Sequence, residues 1–175
     1  MTAKGRFAAA LGASALLLSG ATATAGERAT NVSGLERDVL TEINYARQHP
    51  REYADTLREY RRYFDGRVLF LPGDRNGVVT NEGPDAVDEA IEFLERQAPL
   101  PALSRGEMLV LAAQDHADDQ GMSGASGHVS RDGLTPGDRV RRRGGDIYVG
   151  EGIWYGSGNA GDVVRSLIVD DGVRG

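Results

Sequence analysis

Apolar residues at helical spacing, interrupted repeatedly by proline and glycine, constrain the fold of this chain more than any other feature. Spacings of i, i+3, i+4 and i+7 predict amphipathic α-helices, because these positions share one side of a helix. The capping-box pattern of Ser33 and Glu36 starts the first predicted helix. The dipeptide His49-Pro50 ends it, since the residue before a proline disfavours the α region.

The same spacing predicts further helices along the rest of the chain. They are expected from residue 50 with Tyr53, Leu57, Tyr60 and Phe64 on one stripe, at about 84–97 with Val87, Ala90, Ile91 and Leu94 inward, from the capping-box pair Ser104 and Glu107 to Gly121, from Thr135-Pro136 to Gly144-Gly145, and from about Asn159 with Val163, Val164, Leu167 and Ile168. Residues 65–83 are rich in turn formers and are expected to be irregular, apart from a short extended piece at 68–71.

One segment, at residues 147–155, has the alternation of a β-strand. It lies within the sequence IYVGEGIWYG, and a period of two puts Glu151 in the same row as Ile147, Val149 and Ile153. A lone strand cannot satisfy its own backbone groups, so partner strands are expected. A buried carboxylate is costly without a partner or water, so Glu151 is a candidate functional residue.

Residues 1–25 read as a secretory signal peptide. Lys4 and Arg6 precede an apolar run that closes on small residues, with cleavage expected between Ala25 and Gly26. The alternative of a membrane anchor is disfavoured because the run is short and rich in Ala, Gly and Ser. We therefore expect a linker at 26–33, one domain at 34–175, and a secreted, extracellular or periplasmic product without a later transmembrane segment.

The net charge limits the possible partners, and the absence of cysteine limits how the fold can be stabilised. The net charge is −6 and becomes −8 when residues 1–25 are removed. This acidity argues against nucleic acid and anionic membranes as partners. The chain contains no cysteine, so packing or a metal must stabilise an exported protein that forgoes disulfides. The oligomeric state is left open.

The histidines differ in what their sequence context predicts. His49 is expected to be an exposed residue at a helix boundary, and His116 a satisfied, half-buried histidine on an apolar helix face. His128 lies in a glycine-rich loop, where functional side chains are common. Asp170 extends the apolar stripe of the last helix, with a surface acid as the alternative.

Five segments, taken in order, resemble the CAP superfamily of cysteine-rich secretory, antigen 5 and pathogenesis-related 1 proteins. They read LTEINYARQHPREYA, LPALSRGEMLVLAAQDHADDQG, GHVSRDGLTPGDRVRRRG, YVGEGIWYG and DVVRSLIVDDG. The bacterial, cysteine-poor, SCP-like extracellular branch is the most similar.

The resemblance implies an α–β–α sandwich, an α+β fold with a small antiparallel sheet between helical layers. It also implies a cavity of two histidines and two acids that holds a divalent metal such as zinc. The positions that match are His128, Glu151 and Asp170, which are therefore the expected metal ligands. The family's second histidine and last strands would follow residue 175, so the chain reads as a C-terminally truncated CAP domain.

The resemblance implies a binding function more than an enzymatic one. Relatives are associated with the binding of sterols or other lipids and with contacts at cell surfaces. Tyr148 and Trp154 are candidates to line such a groove, with packing in the core as the alternative. A metal-assisted hydrolase with Glu151 as base is one alternative, and a structural envelope or adhesion module is another.

Overall fold

The computed structural model describes residues 34–173, which form six helices and three short strands. In chain order they are α1 (Gly34–Gln48), α2 (Pro50–Arg61), β1 (Phe64–Asp65), β2 (Val68–Leu69), β3 (Val78–Val79), α3 (Pro84–Arg96), α4 (Glu107–Ser123), α5 (Pro136–Arg142) and α6 (Ala160–Val169). The signal peptide and linker predicted for residues 1–33 lie outside the described residues. Within 34–173 there is no helix with both the length and the apolarity needed to cross a bilayer.

The described residues fall into two compact units. Leu103–Tyr155 form one, called the site unit below because it contains His128 and Glu151. Gly34–Ala102 and residues 156–173 form the other, called the sheet unit because it contains all three strands.

Four helices build the core of the sheet unit. Helix α2 packs on α3, and α1 packs on α6. The inward residues are Val39, Ile43, Ala46, Tyr53, Ala54, Leu57, Ala86, Val87, Ala90, Ile91, Leu94, Val163 and Val164. The predicted inward stripe of α3 is confirmed, because all four of its residues are buried. The break at His49-Pro50 is confirmed as well, since α1 ends at Gln48 and α2 begins at Pro50.

The three strands form an antiparallel sheet in the order β1-β2-β3. Phe64 pairs with Leu69, and Val68 pairs with Val79. The loop between β1 and β2 has two residues, and Gly66 has a φ of 56°, the positive value that a type II′ turn needs at its first central residue. The sheet therefore forms where the sequence predicted mostly irregular chain.

The strand predicted at 147–155 is wrong. These residues pair with no strand among 34–173, and alternating apolar residues do not make a strand without a neighbouring backbone. Helices with a small antiparallel sheet are compatible with the expected α+β class.

Helices α4 and α5 pack together in the site unit. Helix α4 begins at Glu107, and its N-cap Gly106 has no side-chain hydrogen bond, so the predicted start at Ser104 is wrong. Helix α5 is capped as predicted at Thr135, whose side chain accepts from the Asp138 backbone while Asp138 accepts from Thr135. These two helices flank the loop that carries His128.

Candidate functional site

His128 and Glu151 are in direct contact. The two side chains meet at 3.0 Å between His128 Nδ1 and Glu151 Oε1. Because an ionised carboxylate only accepts hydrogen bonds, Nδ1 carries the proton and, in the neutral ring, Nε2 is left as an acceptor. The His128 side chain is 57% exposed, whereas that of Glu151 is 5% exposed. A buried acid thus orients an exposed imidazole.

Arg139 of helix α5 neutralises Glu151. Its Nη2 donates to Glu151 Oε2, and the two side chains are 2% and 5% exposed. Arg139 Nη1 also lies within hydrogen-bond distance of three acceptors, His128 O at 2.9 Å, Leu134 O at 3.1 Å and Ser130 Oγ at 3.2 Å. One guanidinium therefore secures both the acid and the loop that carries the histidine.

His116 and Gln120 of helix α4 hold the loop at Gly127. The Gly127 carbonyl accepts from His116 Nε2 at 2.9 Å and from Gln120 Nε2 at 2.6 Å. His116 Nδ1 lies 2.9 Å from Ser130 Oγ and accepts from that hydroxyl, because Nε2 holds the proton. His116 is completely buried, so the prediction of a satisfied histidine is confirmed, with deeper burial than the half-buried position expected.

Tyr155 completes the scaffold around Gly127. The Gly127 N–H donates to Tyr155 Oη at 2.8 Å, and that hydroxyl donates to Gln120 Oε1 at 3.0 Å. Gly127 has a φ of 99°, a conformation that favours glycine. The residue before His128 is thus fixed by hydrogen bonds to both of its backbone groups.

The far side of the loop is anchored by Asp119. Its carboxylate accepts from the Arg131 backbone at 2.9 Å and from Arg131 Nε at 2.7 Å. These hydrogen bonds, the side-chain bond first, lower the pKa of Asp119. The loop between α4 and α5 is therefore fixed on both sides of His128.

Asp170 belongs to the sheet unit, at the C-cap of α6. It has a φ of 51° and is the one non-glycine residue with positive φ among 34–173. Partial desolvation of its carboxyl raises its pKa. The neighbouring Asp171 is better anchored, since its carboxylate accepts from the backbone of Asn81 at 2.8 Å and of Glu82 at 2.7 Å.

The donor set around His128 does not by itself make a closed metal site. Each oxygen of Glu151 already accepts a hydrogen bond and the side chain is 5% exposed, so Nε2 of the 57% exposed His128 is the more accessible metal-binding atom of the pair. Structural zinc needs four ligands, and no group of three or more His, Cys, Asp or Glu residues within 34–173 is placed to hold a metal. The assignment of His128, Glu151 and Asp170 as zinc ligands stays a prediction.

Sequence reasoning found the histidine and the acid but missed Arg139. Its signal was available: beyond residue 25 the basic residues are all arginines, and a buried acid in such a chain needs one of them. The roles of Gln120, Ser130 and Tyr155 had no comparable signal, because hydrogen bonds to a loop backbone follow no sequence spacing.

Comparisons with known proteins identify no relative. No protein-family model matches the chain, and neither the curated proteins nor the solved structures gave a significant match.

Proposed function

We propose that this chain is an exported, non-catalytic binding module of the CAP superfamily, with His128 as the side chain that meets the ligand. The contact between His128 and Glu151 carries the proposal, since these residues were selected by the resemblance and lie 3.0 Å apart at their nearest polar atoms. The α–β–α sandwich and the secreted location belong to the same proposal.

A binding role is supported by how the imidazole is presented. Glu151 fixes the tautomer, so Nε2 is the acceptor of a side chain that is 57% exposed, and no hydrogen bond joins Nε2 to another described residue. Such a nitrogen accepts a hydrogen bond from a ligand hydroxyl, such as that of a sterol. It also gives a metal ion one ligand, and we expect zinc to bind weakly and to keep water in its other positions.

A hydrolytic role is less well supported by this geometry. It would need Glu151 to take a proton from water, but both carboxylate oxygens already accept hydrogen bonds, from His128 and from Arg139. A general base must reach the proton that it removes. We therefore assign Glu151 a positioning role.

Binding of cholesterol and of zinc to the purified chain tests the proposal, with His128→Ala as the variant. His49→Ala is the matched control, because His49 is 47% exposed and also faces a glutamate, at 3.5 Å from Glu52. We expect His128→Ala to weaken zinc binding by about ten-fold or more and to reduce cholesterol binding, while His49→Ala changes neither.

The contrary outcomes are distinct. Equal zinc affinity in the wild type and His128→Ala would remove the metal role. Equal cholesterol binding in these two proteins would remove the ligand role of His128. Turnover of a fluorogenic peptide that is lost in Glu151→Gln would replace the binding module with the hydrolase.

A further inference from the structure

The loop between β2 and β3 contains a chemically labile pair of residues. Asn76 precedes Gly77 there, and this is the one Asn-Gly pair of the sequence. Asparagine is among the least stable side chains chemically, and Asn76 is exposed. The backbone nitrogen that follows it is unhindered, because glycine has no Cβ to shield it. The amide side chain and this nitrogen can therefore react with each other.

The fold requires the glycine of this pair. Gly77 has a φ of 59°, in the left-handed region that residues with a side chain disfavour. A Cβ added at this position would lie 2.6 Å from Val68 Cγ1 and 2.7 Å from Phe70 Cε1, which is too close for a real contact. The contacts of β2 thus hold the reactive pair in place.

We propose that Asn76 is a site of spontaneous covalent modification, at which the side-chain amide becomes a carboxylate through a succinimide. The Gly77 nitrogen bonds to Asn76 Cγ and gives up its proton, the bond from Cγ to Nδ2 breaks, and ammonia leaves. Water then opens the ring. Attack at Cγ gives aspartate, whereas attack at the Asn76 carbonyl carbon gives isoaspartate. The modification does not depend on the ligand role of His128.

The two products act differently on the sheet. Both add a negative charge to an exposed loop, but isoaspartate also routes the backbone through the side chain and so adds a methylene before Gly77. Val78, directly after this glycine, pairs with Leu69. The longer backbone must therefore move Gly77 away from Val68 and Phe70 or shift β3 against β2.

Two other asparagines of the described chain are held by hydrogen bonds and serve as internal controls. Asn81 Nδ2 donates to Asp171 Oδ2 at 3.2 Å. Asn159 Oδ1 accepts from the Asp162 backbone at 3.1 Å as the N-cap of α6. Each is also followed by a residue with a side chain, which hinders the attacking nitrogen.

Peptide mapping by mass spectrometry tests the modification. The purified, folded chain is incubated at neutral and at mildly alkaline pH, and fragment ions assign each deamidation to one asparagine. We expect Asn76 to be converted roughly ten-fold or more faster than Asn81 and Asn159, which must first break hydrogen bonds. Alkaline pH should accelerate the conversion, because the attacking nitrogen must lose its proton.

The variant Asn76→Gln is the matched control, since it keeps an exposed amide but can react only through a larger, slower-forming ring. It should stay unmodified. A wild-type Asn76 that stays intact in the folded chain overturns the proposal, whether or not the urea-unfolded chain is converted. Equal rates at Asn76, Asn81 and Asn159 overturn it as well.

Thermal unfolding followed by circular dichroism tests the effect on the sheet. Asn76→Asp adds the charge without the methylene and should melt with the wild type, because the side chain is exposed. The isoaspartate form, separated from the incubated wild type by anion exchange, should melt at a lower temperature. Equal melting of the two forms would refute the strain on β2 and β3.

Discussion

Replacing Arg139 by alanine should be one of the most destabilising single changes in the site unit. The substitution leaves the Glu151 carboxylate 5% exposed without its cationic partner. It also removes the donor that lies near His128 O, Ser130 Oγ and Leu134 O.

The expected loss is about 3–5 kcal/mol, the cost of leaving a buried charge without its partner. That is a large share of the roughly 5–15 kcal/mol that stabilises a typical domain. Arg143→Ala is the matched control. Like Arg139, Arg143 pairs with a carboxylate, that of Asp115, but these two side chains are 38% and 34% exposed. We expect it to cost at most about 1 kcal/mol.

Urea unfolding followed by tryptophan fluorescence measures both variants. Trp154 is the one tryptophan of the chain and lies three residues after Glu151, so it reports on the site unit. Adding Glu151→Gln to Arg139→Ala should recover part of the loss, because it removes the unpaired charge. If Arg139→Ala costs no more than Arg143→Ala, the buried ion pair does not hold the site.

Three further predictions concern the carboxylates of Asp170, Asp171 and Asp138. Asp170→Asn should stabilise the protein by about 0.5–1 kcal/mol at neutral pH, because asparagine tolerates positive φ and removes a negative charge from a helix C-terminus. The pKa of Asp170 is raised, so folding favours its protonated form. Once acid has neutralised this carboxyl in the wild type, the stability advantage of Asp170→Asn, measured by urea unfolding, should disappear. Asp171→Asn should instead destabilise, because Asp171 caps two backbone N–H groups. The capping hydrogen bonds of Thr135 lower the pKa of Asp138 from 3.8 to about 2. Its stabilising contribution is therefore full above about pH 4 and lost as the pH falls through 2, and Asp138→Asn should flatten acid unfolding measured by circular dichroism across that interval.

The helices were largely predictable because their signals are local. Thr135 caps α5 and Asn159 caps α6 through side-chain hydrogen bonds three residues along the chain, and proline fixes the boundary between α1 and α2. The start of α4 was misplaced because Ser104 has the right spacing to Glu107 but does not cap the helix. A capping-box pattern therefore marks the start of a helix only when the residues directly after the serine or threonine are helical.

The sheet and the ion pair depend on distant residues, so local patterns could not place them. Val68 forms a strand because Val79 lies beside it, whereas residues 147–155 have a stronger alternation but no partner strand among residues 34–173. Glu151 was recognised from its apolar row, and its histidine from the resemblance. The sequence indicated that a buried Glu151 needs an arginine, but only the fold shows that this arginine is Arg139, 12 residues away.

The tautomer of His128 tests the central claim most directly. Long-range ¹H–¹⁵N correlation spectra of the imidazoles, recorded above the titration of histidine, distinguish a proton on Nδ1 from one on Nε2. The contact with Glu151 predicts that His128 carries its proton on Nδ1 and that Glu151→Ala abolishes this preference, while His49 is unaffected. A wild-type His128 with its proton on Nε2 would contradict the account.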